Sequence, residues 1–155
     1  MFTANLLSYI GVIIMVGVSG LGSIFGATMV ANASVGAMKK NPAAFGGYMM
    51  LTAIPCSQGL YGFAGFFLIL NYVTPGVTMV QAIAILSLGV LVGVLNLLSA
   101  LRQAQVCING VIAVGNGQND LAGKALILAV FAELYAILGV AAVFLALSVM
   151  GSPVV

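Results

Sequence analysis

Apolar residues in this chain are not spaced at intervals; they run on almost unbroken. Four long apolar stretches are separated by short polar breaks, the pattern of helices that cross a bilayer. The first predicted helix covers about 5–38 and stops at Lys39-Lys40-Asn41-Pro42, a charged stop followed by a helix breaker. The second covers about 44–71, and Tyr72-Val73-Thr74-Pro75-Gly76 turns the chain. The third spans about 79–115. The break Asn116-Gly117-Gln118-Asn119-Asp120 leads into the fourth, about 121–150. Each stretch exceeds the ~20 residues a bilayer requires, so the helices must tilt or protrude. The expected fold class is therefore all-α membrane protein. Its four transmembrane helices form two tandem hairpins, 5–71 and 79–150, of a single membrane domain over 1–155.

Composition supports this. Of 155 residues, 63% are hydrophobic and 4% charged, with no His and no Trp, whereas a soluble domain carries roughly a quarter charged residues. Twenty glycines suit close helix packing in lipid. A formal charge of +2 is too small to imply a nucleic-acid partner. Cys56 and Cys107 lie inside apolar stretches without metal-ligand spacing, and both are expected to be small buried hydrophobes. The first twenty residues lack a basic region, which argues against a cleaved signal peptide. An even number of crossings puts both termini on one side. Lys39, Lys40 and Lys124 lie on the other, so the positive-inside rule makes loops 39–43 and 116–120 cytoplasmic and the termini external.

The two halves resemble each other. At an offset of 74, Gly36 meets Gly110, Leu60-Tyr61 meets Leu134-Tyr135, and Gly65 meets Gly139. This suggests a duplicated hairpin with both copies in one orientation.

Glu133 is the residue that needs a reason. It lies well inside the fourth helix, where a carboxylate is costly unless it is protonated, paired or bound to a cation. It stands 12 residues past position 121; Gln58 stands 14 past position 44, and Gln103 stands 13 before position 116. At ~1.5 Å per residue all three sit about 18 to 21 Å in from the same side. Pro55 removes a backbone donor and frees the carbonyl of Leu51, while Ser57, Gln58 and Tyr61 follow on one helix face. The oxygens of Ser57, Gln58, Gln103 and Glu133 together suit a hard cation. Arg102 is the exception. A salt bridge to Glu133 would abolish ion binding and leave a purely structural protein, so Arg102 is expected to point elsewhere, to a helix interface or a lumenal surface where it can snorkel. No phosphate-binding loop, nucleophile constellation or metal cluster is present, so the chain is not expected to hydrolyse ATP itself or to need an organic cofactor.

The runs Ile54-Pro55-Cys56-Ser57-Gln58-Gly59-Leu60-Tyr61-Gly62-Phe63 and Glu133-Leu134-Tyr135-Ala136-Ile137-Leu138-Gly139 resemble those of the duplicated proteolipids of V-type ATPases, the c-type rotor subunits known in bacteria as subunit K. The resemblance implies a ring of identical copies in a bacterial cell membrane, with the first and third helices inside and the second and fourth outside. It also implies a stator subunit with an exchange-site arginine, a central-stalk subunit and surrounding lipid. By similarity Glu133 carries the ion, Gln103, Ser57 and Gln58 supply oxygens, the Ile54 backbone carbonyl completes the site, and Tyr61 hydrogen-bonds Glu133. Arg102 departs from that pattern, which leaves Gln105 as an alternative to Gln103. The surplus of oxygen ligands favours Na+ over H+, since a proton carrier needs only a carboxyl of raised pKa. A small four-helix cation or drug antiporter is the alternative of another class; it would place its glutamate in the first helix and lack the duplication.

Overall fold

The computed structural model describes residues 2–150. Helix α1 is Phe2–Met38 and α4 is Met79–Gly115, each of 37 residues; α5 is Leu121–Val149, of 29 residues. The second span, Pro42–Leu70, is built from α2 (Phe45–Ala53), a 3-10 turn at Ile54–Cys56 and α3 (Ser57–Leu70). All four spans are long and apolar enough to cross a membrane, as their composition predicts, and no strand occurs among the described residues.

The buried stripe of α1 runs Ala4, Ser8, Gly11, Met15, Ser19, Gly22, Gly26, Val30, Ser34 and Ala37, a spacing of three and four that follows one helix face. These residues are mostly small, while Ile13, Ile24, Phe25 and Val35 are exposed. In lipid, large apolar side chains gain nothing by turning inward, and small ones let backbones approach. The partner stripe is on α4, where Gly89, Ala100 and Ala104 repeat the spacing of Gly11, Gly22 and Gly26. The approach is backbone to backbone. A Cβ on Gly22 would lie 2.7 Å from Leu97 Cα, and one on Gly89 would overlap the Gly11 carbonyl.

Helices α1 and α4 thus form a tight pair, with α3 against α1 and α5 against α4. Between α3 and α5 there is less contact, so the spans are packed most closely along α1 and α4. The pair Gly36 and Gly110 does not share an environment: Gly36 is open, whereas a Cβ on Gly110 would be 2.5 Å from Ala125 Cβ. The expectation for Cys56 also fails. Cys107 is buried but Cys56 is exposed, because the 3-10 turn rotates it off the packed face while Pro55 is turned in.

Both charged connections meet at one end. Asn41 Nδ2 donates to the Val114 carbonyl at 2.9 Å and to Asn119 Oδ1 at 2.8 Å, and Lys40 Nζ donates to Asn116 Oδ1 at 3.4 Å. Helix α4 closes with a Schellman motif: Gly117, at φ +92, donates to Val114, and Gln118 donates to Ala113. At the opposite end, Thr78 and Gln81 form a reciprocal capping box that starts α4.

Valine at position 89 is expected to force α1 and α4 apart and to cost about 1–3 kcal/mol. The thermal midpoint of the detergent-solubilised protein reads this. Gly123→Ala, where a Cβ meets nothing within 4 Å, should leave the midpoint unchanged or raise it. Equal effects would contradict the close-packed seam.

Candidate ion-binding site

Pro55 cannot donate a backbone hydrogen bond, and its ring crowds the preceding turn. The second span answers with the 3-10 turn at Ile54–Cys56, wedging buried Pro55 against α1, where a Cβ on Gly26 would lie 2.8 Å from Pro55 Cβ. Below the turn, the Gly59 N–H donates to Ser23 Oγ of α1 at 2.7 Å. This fixes the rotation of α3, so that Gln58 turns inward and is fully buried while Tyr61 reaches across to α5.

A continuous chain of hydrogen bonds follows. Gln58 Nε2 donates to Gln103 Oε1 at 2.8 Å and to Ser99 Oγ at 3.1 Å. Gln103 Nε2 donates onward to Glu133 Oε2 at 3.3 Å and to the Ala129 carbonyl at 3.2 Å. Tyr61 Oη donates to the other carboxylate oxygen, Glu133 Oε1, at 2.6 Å. Ser99 Oγ donates to the Ala132 carbonyl at 2.7 Å, which anchors the cluster to α5. Three of the four spans meet at one depth, as the residue counts predict.

Two features of this arrangement have chemical consequences. Glu133 receives neutral donors but has no cationic partner. Among the described residues the one salt bridge is Lys124–Asp120, 2.7 Å long, at the loop end, where the Lys124 hydrogen bond and charge hold the Asp120 carboxyl below its usual range. An ionised Glu133 therefore needs a proton or a cation from outside the chain. Second, Gln58 Oε1 is buried without a hydrogen-bond partner. An orphaned buried acceptor costs about 1–3 kcal/mol, which a cation seated there would recover. Amide oxygen, carboxylate and hydroxyl are the donor atoms a hard monovalent cation takes.

The other expectations divide. Ser57 Oγ donates to the Ile54 carbonyl at 3.0 Å, so these two oxygens pair with each other at the start of α3, next to Gln58. The salt-bridge reading of Arg102 fails: its guanidinium is exposed and donates to Gln105 Oε1 at 3.2 Å. The same bond removes Gln105 as the alternative to Gln103, because Gln105 faces outward while Gln103 is fully buried. Ser99 was missed, although a hydroxyl four residues before Gln103 on the same helix face is a readable signal. Asn96 and Ser19 were missed too. They join α4 to α1 at 2.9 Å, one turn from Ser99.

Comparison with known proteins agrees with this architecture. The model of the family of the ATP synthase c-type subunit matches twice, over residues 10–69 and 86–146. A V-type sodium ATPase subunit K from Enterococcus hirae is 32% identical over 127 residues, covering 82% of this chain and 81% of that protein. An A-type ATP synthase subunit K from Methanocaldococcus jannaschii is 34% identical over 134 residues, covering 86% of this chain but 58% of its own length.

Removing the phenol with Tyr61→Phe deletes the shortest bond to Glu133. Reaction of Glu133 with a hydrophobic carbodiimide is then expected to speed up several-fold, read by mass of the modified peptide. An unchanged rate would mean that the hydroxyl does not restrain the carboxylate.

Proposed function

The chain belongs to the family of the ATP synthase c-type subunit, and we propose that it is a rotor subunit of a V-type ATPase whose ring carries Na+ across the membrane on Glu133. The family makes it an integral, multi-pass proteolipid of the membrane rotor, with no catalytic role of its own. Copies of the chain form a ring, and ATP hydrolysis occurs elsewhere in the machine. In our reading each Glu133 takes an ion on one side, travels with it past lipid as a neutral pair, and releases it at a stator subunit. An arginine of that stator displaces the ion, and a central-stalk subunit transmits the torque.

The observation that carries the sodium reading is the buried, unpartnered Gln58 Oε1 beside a carboxylate without a counter-charge. Gln103 and Gln58 extend the oxygen set. Ser57 and the Ile54 carbonyl add oxygens where the 3-10 turn meets α3, and Tyr61 steadies Glu133 from α3. A bare proton would neutralise the carboxylate equally well but would leave the Gln58 oxygen unsatisfied. The sodium in the name of the Enterococcus relative points the same way. The alternative is the same rotor with H+ as cargo. The antiporter class loses support from the double family match and from a glutamate in the last helix rather than the first. Lys39, Lys40 and Lys124 at the loop end support a cytoplasmic placement for loops 39–43 and 116–120 of a bacterial cell-membrane protein, with external termini.

Carbodiimide labelling of Glu133 in assembled rings is expected to slow as sodium is raised at fixed pH. Glu133→Gln is expected to abolish ion transport by the whole ATPase while leaving the ring assembled. Labelling indifferent to sodium but slowed by alkaline pH would replace sodium with the proton. Transport that survives Glu133→Gln would remove Glu133 from the carrier role.

A further inference from the structure

The two hairpins are copies of one design in their packing as well as in sequence. Helices α1 and α4 are equal in length and correspond at an offset of 77, while α3 and α5 correspond at 74. Contacts within the hairpins follow both offsets. A Cβ on Gly65 would press on Met15, and one on Gly139 would touch Val92. Likewise Gly26 abuts Pro55, and Gln103 bonds the Ala129 carbonyl.

Arg102 lies in an open groove between α4 and α5, lined with Leu95, Leu98, Ser99, Ala132 and Tyr135. In the first hairpin the counterparts of Leu95, Ser99, Ala132 and Tyr135 are Val18, Gly22, Gln58 and Tyr61. Inside the chain the second hairpin covers all four: Gly93 meets Val18, Leu97 meets Gly22, Gln103 meets Gln58 and Glu133 meets Tyr61. The groove thus repeats a face that is covered elsewhere in the molecule. A matching cover is present and also open. Gly93 and Leu97 correspond to Val16 and Gly20. Val16 lines the free groove between α1 and α3, and a Cβ on Gly20 would meet nothing within 4 Å. In a ring the α4–α5 groove of one copy therefore receives the α1–α3 face of the next, a step that rests on the rotor reading above.

The polar residues do not repeat. Where the inner seam has Gln58 and Glu133, the seam between copies has Ala132 and Gly59. It therefore lacks the carboxylate that Tyr61 holds inside the chain, and Arg102, at the counterpart of Phe25, is the long side chain beside Tyr135. We propose that Arg102 seals this second seam. Its guanidinium lies between Tyr135 and Gly59 of the next copy, takes the place of the missing carboxylate, and bars a second cation by its fixed charge. The neighbouring copy removes the guanidinium from hydrocarbon, where it is costly. The Tyr135 ring offers it a cation–π face, and Gln105 Oε1 accepts from one nitrogen at 3.2 Å.

Val16 and Leu95 line different grooves, so a disulfide between them joins two copies. Their counterparts inside the chain are close enough for such a bond: a Cβ on Gly93 would lie 3.1 Å from Val18 Cβ. Rings of Val16→Cys with Leu95→Cys, with Cys56 and Cys107 replaced by alanine, should oxidise to a ladder of covalent multimers. Arg102 is the single arginine of the sequence. Its reaction with phenylglyoxal, read by peptide mass, should be several-fold slower in rings than in chains parted by denaturing detergent. In Gly59→Glu rings the new carboxylate should pair with Arg102 and escape carbodiimide, whereas Gly59→Glu with Arg102→Gln should be labelled at position 59. Equal labelling there in both would overturn the role of Arg102. So would equal phenylglyoxal rates, a measurement that stands even where Gly59→Glu fails to assemble. Ring masses without the covalent ladder would overturn the seam while leaving the rotor reading intact. Single chains only, weighed intact, would overturn both.

Discussion

A carboxylate in hydrocarbon has to be neutralised, and in this protein no side chain does it. Every cation in the described chain stands elsewhere: three lysines at the loop end and Arg102 turned outward to Gln105. The surroundings of Glu133 supply donors and acceptors in place of charge. Tyr61 and Gln103 each hold one carboxylate oxygen, and the amide chain behind them ends in an acceptor with nothing to accept. Such a site is stable only with something in it. That is a liability for a structural protein and a requirement for a carrier, because a permanent internal counter-ion would compete with every passing ion.

The rest of the architecture follows from holding that site in register. Side chains from three spans must meet within hydrogen-bond distance, and lipid gives no hydrophobic drive to press helices together. The chain obtains the necessary closeness from small residues, with α1 and α4 in backbone contact along Gly11, Gly22 and Gly89. Polar bonds then fix rotation rather than supply bulk stability. Ser23 holds Gly59, Ser19 holds Asn96, and Ser99 ties Gln58 to α5. The second span bends at Pro55 for the same purpose, since the 3-10 turn sets the rotation that sends Gln58 inward and Tyr61 across.

Much of this is legible from the residues alone. Apolar runs of this length have one interpretation, and counting from the polar breaks puts Glu133, Gln58 and Gln103 at one level. Counting helical rise needs only backbone geometry, so it survives without knowledge of packing. Rotation about the helix axis is harder. Cys56 comes out exposed and Ser57 pairs with the Ile54 carbonyl because a 3-10 turn winds three residues per turn rather than 3.6, and the sequence shows a proline but not which geometry it imposes. Arg102 and Gln105 illustrate the complement: both are polar and near Gln103, yet one step of about 100° for Arg102 and two for Gln105 turn them from the inward face to the outward one. Ser99 is easily overlooked for another reason. A serine in an apolar helix usually bonds its own backbone, as Ser8 and Ser87 do here, and only the arrival of Gln58 from another helix gives Ser99 a second task.

Reversibility places a limit on how well the site can be built. A fully enclosed cage of oxygens would hold an ion too tightly to release it within a turn of a rotor, and an open one would let water follow the ion. Glu133 is half-buried, whereas Gln58 and Gln103 are completely buried. The rigid part of the site is thus the amide pair, anchored at both ends to α4 and α5. The part nearer the surface is the carboxylate with its Tyr61 bond, between the less closely packed α3 and α5. In the proposed rotor, a carboxylate that swings away from fixed amides and is met outside by a stator guanidinium would give binding and release from one side chain. The chain's own Arg102, held outward by Gln105, is kept from doing the same.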